Sequence, residues 1–132
     1  MILDTSYVLD LVARDEDAFR KGVELQDANV TRWVPTPVRF ECYYGAEYLD
    51  DDDERRRVRN ALGSYPTVDV TDDLARTAGR VLARADRDAG GDSSVEVNDA
   101  YVAAAAAVLD EPVLTSDPED FETLGVAVET HR

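Results

Sequence analysis

One cysteine, one lysine, one histidine and one tryptophan are all that these types contribute to 132 residues. The lone thiol, Cys42, excludes an internal disulfide and any cysteine-based zinc cluster, and its apolar surroundings mark it as a small core residue. His131 stands one position from the last residue and reads as a solvated tail, which leaves the body of the chain without an imidazole general base. No apolar run approaches the roughly 20 residues of a membrane-spanning helix. Asp4 also interrupts the first apolar stretch, so no leader-like segment is expected and the chain reads as soluble and cytoplasmic. At this length one domain spanning 1–132 with a single core is expected.

Positive charge is scarce as well. Lys and Arg total 14 against 29 Asp and Glu, a formal net charge of −15, and Lys21 is the only lysine. Self-repulsion on that scale is largely screened at molar salt, where the Debye length is about 3 Å, so a salt-rich, halophilic cytoplasm is the expected setting. An ordinary acidic protein is the alternative.

What the chain has in abundance is short apolar runs that stop at an acid. Asp4 follows Met1-Ile2-Leu3, Glu41 lies within Pro37–Cys42, Asp99 opens the run Tyr101–Leu109, and Asp117 follows Val113–Ser116. A carboxylate at the end of a buried element loses hydration and must gain a cation, a donor or a proton. Four converging carboxylates need a counter-charge, and Mg2+ or Mn2+ is the oxygen-preferring dication that fits. Each acid alone has a plainer explanation: Asp4, Asp99 and Asp117 are good helix N-caps, and Glu41 can face solvent. Glu41 has Val38, Phe40, Tyr43 and Tyr44 as apolar neighbours, however, and a glutamate turned toward a core needs a partner.

The pattern alternates strand and helix. Met1–Leu3, Trp33–Pro35, Val68–Val70, Val113–Thr115 and Gly125–Val128 read as strands. Thr5-Ser6, Asp15, Thr36-Pro37 and Thr71 announce helices, and Gly90–Ser94 is a loop. Leu74, Ala78, Val81, Leu82 and Ala85 share one helical face, and Ala100–Leu109 is apolar all round. Asp50–Glu54 followed by Arg55–Arg57 is charge order suited to a solvated helix. The expected class is α/β, a three-layer α/β/α fold with a central, mainly parallel sheet, whose ligand crevice lies beyond the carboxyl ends of its strands.

As a set, Met1–Ser6, Glu41 with Tyr44-Gly45-Ala46, Asn98-Asp99-Ala100 before an alanine-rich helix, and Leu114–Asp117 with Asp120-Phe121 and Gly125-Val126 resemble the PIN-domain family, most closely its VapC-type toxins. The resemblance covers essentially the whole chain. It implies a metal-dependent endoribonuclease using Mg2+ or Mn2+, with Asp4, Glu41, Asp99 and Asp117 as the catalytic, metal-binding acids and Ser6 and Thr115 as supporting hydroxyls. It further implies an RNA substrate, a small antitoxin and a homodimer. Asp50 through Gly91 carries no motif that matches.

Rival readings are an RNA-maturation nuclease of the same fold, an inactive PIN-like binding module, and aspartyl phosphotransfer. The last calls for a lysine late in the chain, and Lys21 does not supply it. Arg39, Arg84 and Arg87 either line an RNA groove or decorate solvated helices. Tyr43, Tyr44 and Tyr48 serve either partner contacts or the core.

Overall fold

A computed structural model describes all 132 residues. The strands are β1 (Ile2–Leu3), β2 (Val34–Pro35), β3 (Thr67–Val68), β4 (Val113–Leu114) and β5 (Val128–Glu129). The helices are α1 (Thr5–Val12), α2 (Glu16–Asp27), α3 (Thr36–Leu49), α4 (Asp52–Leu62), α5 (Asp72–Asp88), α6 (Val97–Leu109) and α7 (Pro118–Thr123). Every strand pair is parallel: β4 lies between β1 and β5, β2 pairs with β3, and a bridge from Ile2 to Trp33 joins the two groups. Leu3 N donates to Trp33 O at 2.9 Å and Asp4 N to Leu114 O at 3.0 Å, so β1 is a central strand. Parallel strands need helical crossovers that cover both faces, and the result is the three-layer α/β/α fold.

Burial explains the apolar runs. Ile2, Leu3, Val34, Val113 and Leu114 are fully buried, as two-sided strands must be. α6 buries Ala100 and every residue from Val102 to Ala106, and it packs against α5, α3, β1, β2 and β4. Only alanine-sized side chains let one helix approach so many neighbours. The capping reading holds where helices begin on the surface: Asp15 accepts from Ala18 N at 2.9 Å, Asp51 from Asp53 N, and Thr71 from Leu74 N. Gly125 has φ +80°, which ends α7 and turns the chain toward β5.

Several boundaries and placements differ from expectation. β3 sits at Thr67–Val68 and β5 at Val128–Glu129, because the turns after α4 and α7 are tighter than the alternating residues indicate. Arg39 is neither solvated nor in a groove: its Nη2 donates to Leu62 O at 3.2 Å and Tyr65 O at 2.8 Å, closing the carbonyl end of α4. Arg39→Met keeps the aliphatic stem and removes those donors. It is expected to cost about 1–3 kcal/mol in urea unfolding, and an unchanged midpoint would refute the clamp.

His131 also departs from the sequence reading, since its side chain is fully buried rather than solvated. Its Nε2 donates to Asp10 Oδ2 at 2.7 Å, and its ring meets Tyr7 edge-on at 5.1 Å. No helix is long and apolar enough to cross a membrane.

Candidate active site

Asp4 leaves the end of β1 and Thr115 the end of β4, so the pairing of those two strands sets them side by side. Thr115 Oγ1 donates to Asp4 Oδ2 at 2.8 Å, and Ser6 Oγ donates to the same oxygen at 3.1 Å. The two hydroxyls lie 3.0 Å apart. Ser116 N donates to Ser6 Oγ and Asp117 N to Thr115 Oγ1, both at 3.0 Å, which pins the loop after β4 to the start of α1. Asp4 occupies the N-cap position of α1 yet makes no capping bond, because its carboxylate is turned to these hydroxyls.

The other capping explanations fail too. Asp99 lies inside the first turn of α6, whose N-cap is Glu96, and Asp117 precedes α7 without a side-chain cap bond. Glu41, half-buried in α3, accepts from Asn98 Nδ2 at 3.3 Å, so one residue beside Asp99 orients it. Its apolar neighbours Phe40, Tyr43 and Tyr44 face outward, not into a core around it.

These side chains line one cavity of about 700 Å³ beyond the carboxyl ends of β1 and β4. Its wall holds Asp4, Glu41, Glu96, Asp99, Asp117, Glu119 and Asp120, with Ser6, Thr5 and Ser116, and no lysine or arginine. All four acids expected from sequence are therefore present. Thr115 is buried just beneath Asp4. Sequence reasoning misses Glu96 and Asp120, although each carries a signal: three residues from Asp99 and Asp117 respectively, a spacing that shares a helix face. Asp117 is exposed at the rim, whereas Asp4 is buried.

Burial and mutual charge govern the protonation of this wall. Asp99 is pushed up to about 7, first by burial, then by the charges of Asp4, Asp120 and Glu41 and by hydrogen bonding with Asp120. Asp4 is raised by burial against the opposing pull of Thr115 and Ser6. Burial also raises Glu41, with Asn98 opposing and Asp4 adding to the rise. Beneath the site, burial pushes the Cys42 thiol up to about 12, so it is an inert core group.

No three of the carboxylates close into a ready coordination group; they line a wall, as like charges in a partly desolvated space do. The donor set nevertheless fits a hard dication: oxygen only, several anionic, partly desolvated, and with no protein cation in the wall to compete.

Comparison with known proteins agrees with this geometry. The PIN domain family profile matches residues 1–126. No curated protein matches the sequence at a significant level. Among solved structures, DNA-bound VapBC from Salmonella typhimurium aligns with TM-score 0.79 and 20% identity, over 99% of this chain and 97% of that one. VapBC-5 from Mycobacterium tuberculosis, a member of the VapBC family of toxin-antitoxin systems, aligns with TM-score 0.65 and 29% identity, over 98% and 94%. Mycobacterium tuberculosis VapC20, described as a Sarcin-Ricin loop cleaving toxin, aligns with TM-score 0.69 and 17% identity, over 96% and 95%. With the profile spanning nearly every residue and the acids gathered at the strand ends, the chain belongs to the PIN domain family.

Proposed function

We propose that the chain is a metal-dependent endoribonuclease that hydrolyses RNA phosphodiester bonds, and that it is the toxin of a toxin–antitoxin pair. The observation that carries this reading is the cavity wall of seven carboxylates with no basic residue, in a chain of the PIN domain family. Asp4, Glu41, Asp99 and Asp117 would hold Mg2+ or Mn2+, Asp4 and Asp99 directly and the other two directly or through water. Such an ion supplies an acidified water and offsets charge on the phosphate and the leaving oxygen.

The chain's own residues do the positioning. Thr115 and Ser6 donate to Asp4 Oδ2, fixing the carboxylate and favouring its ionised form. Asn98 holds Glu41 at the opposite wall. Asp120 beside Asp99 keeps that carboxyl basic enough to take up or release a proton near neutral pH.

Related solved complexes pair toxins with antitoxins, some on DNA, which supports a small antitoxin as partner. A homodimer is proposed with it. Cleavage of single-stranded RNA, in dilute buffer and in high KCl, is expected with Mg2+ or Mn2+ and is expected to stop with EDTA. Saturating Mn2+ should also raise stability, by about 2.7 kcal/mol at a hundredfold excess over Kd. EDTA-resistant cleavage would overturn the metal assignment. Neither cleavage nor stabilisation would leave the binding-module reading instead.

A further inference from the structure

α3 carries two stripes of i, i+4, i+8 spacing, and their burial is the reverse of their hydrophobic size. Val38, Cys42 and Ala46 are buried, whereas Phe40, Tyr44 and Tyr48 are 61%, 61% and 78% exposed. Aromatic rings gain more from burial than small side chains do, yet this helix turns its small residues inward and three aromatics outward. The rings follow one another: Phe40 to Tyr44 and Tyr44 to Tyr48 are each 6.2 Å between centroids, with planes 35° and 25° apart. That spacing is close to twice the ~3.4 Å separation of bases along a strand.

The ladder is continuous with the acidic cavity. It shares its helix with Glu41, a cavity residue, and at 3.6 residues per turn Tyr48 lies only about 20° around the helix from Glu41. Charge narrows the choice of occupant. The cavity has no cation, and nearby arginines are committed: Arg55 to Glu47, Asp50 and Asp52, Arg56 to Asp53, and Arg39 to backbone carbonyls. Phosphate neutralisation therefore contributes little here, whereas stacking uses the π-face that every base has and needs no charge. A second copy of the chain would bring another net charge of −15 to the same face.

We propose that Phe40, Tyr44 and Tyr48 form a stacking platform that leads the bases of single-stranded RNA along α3 to the acidic cavity. This rests on the ribonuclease reading and names the form of its substrate, an unpaired strand held by its bases. Because stacking is not ionic, the ladder's share of the affinity does not depend on salt.

The test is fluorescence anisotropy of a short 5′-labelled oligoadenylate with the full chain, in an Asp99→Asn background with Mg2+ so that the strand stays intact. Titrations run at about 0.1 M and about 1 M KCl, where the screening length falls from about 10 to 3 Å. Tyr44→Ala with Tyr48→Ala is expected to weaken binding tenfold or more at both salts, while Tyr44→Phe with Tyr48→Phe retains it. Far-UV circular dichroism confirms the fold of each variant, since exposed side chains are being cut. Binding unchanged by the alanines overturns the platform. So does a wild-type dimer, seen by sedimentation, that the alanines dissociate without altering RNA affinity; the ladder is then a self-association face. Wild-type protein that binds the strand but never cuts RNA overturns the nuclease reading and leaves the platform standing.

Discussion

Asp99→Asn is expected to abolish RNA cleavage and, in EDTA, to make the protein more stable at about pH 8 than the wild type. The first effect follows from position: Asp99 faces Asp4, Glu41 and Asp120 across the cavity, and loss of one anionic oxygen ligand should lower the rate by about a hundredfold or more. The second follows from linkage. The Asp99 carboxyl titrates at its ordinary 3.8 in the unfolded chain and at about 7 in the folded one. Its contribution to stability is therefore fully present below about 3.8 and is lost as pH rises toward 7, because the unfolded state releases its proton first. An asparagine in its place carries no such dependence. Thermal unfolding in EDTA should show the variant's advantage at about pH 8 and its disappearance below about pH 4. Asp4 and Glu41, raised for the same reasons, leave a residual slope of the same sign. A variant less stable than wild type at the higher pH would contradict the desolvated, mutually repelling wall, and a variant that cuts RNA at the wild-type rate would remove Asp99 from the site. Stabilisation of wild type by Mn2+ without comparable stabilisation of the variant would connect the two effects.

The site is legible in sequence to the extent that strand ends are legible. Asp4 and Asp117 stop runs of buried strand residues, and parallel pairing of β1 with β4 does the rest. Glu41 is legible as an acid in apolar company, though for a mistaken reason: its aromatic neighbours lie outside. Both stripes of α3 have helical spacing, and periodicity cannot say which one the tertiary structure will cover. The aromatic stripe is larger and more apolar, so a guess from sequence puts it inside. Asp99 is displaced by part of a turn from its expected place because Asn98-Asp99 looks like a cap. Asn98 instead reaches Glu41, fifty-seven positions away in sequence, a contact that no local rule contains. Glu96 and Asp120 have helix-face spacing to the expected acids, but they are equally well explained as first-turn acids suited to the helix dipole, a role they also fit. Arg39 and His131 illustrate the same limit. A charged residue's partner decides its role, and for both the partners come from distant parts of the chain.

His131→Ala should be among the most destabilising single changes outside the central core. The ring is buried against Tyr7, which itself reaches Ala18 O with its hydroxyl at 3.0 Å, so His131, α1 and the start of α2 form one packed unit. Truncation leaves a cavity and removes the Nε2 donor from Asp10, whose Oδ2 then keeps only Arg132 at 3.0 Å. Loss of ring packing together with a bond to a charged acceptor is expected to cost about 2–4 kcal/mol in urea unfolding. Arg132→Ala is the control: its salt bridges to Asp10 and Asp15 are on an exposed side chain and should be worth less than about 1 kcal/mol. His131 is not part of the cavity wall, so cleavage per folded molecule should be unchanged in both variants. The alternative is sharply distinguishable. If His131→Ala kept full stability and lost cleavage, the chain's one imidazole would belong to the chemistry, and a site built from carboxylates and hydroxyls alone would no longer account for the reaction.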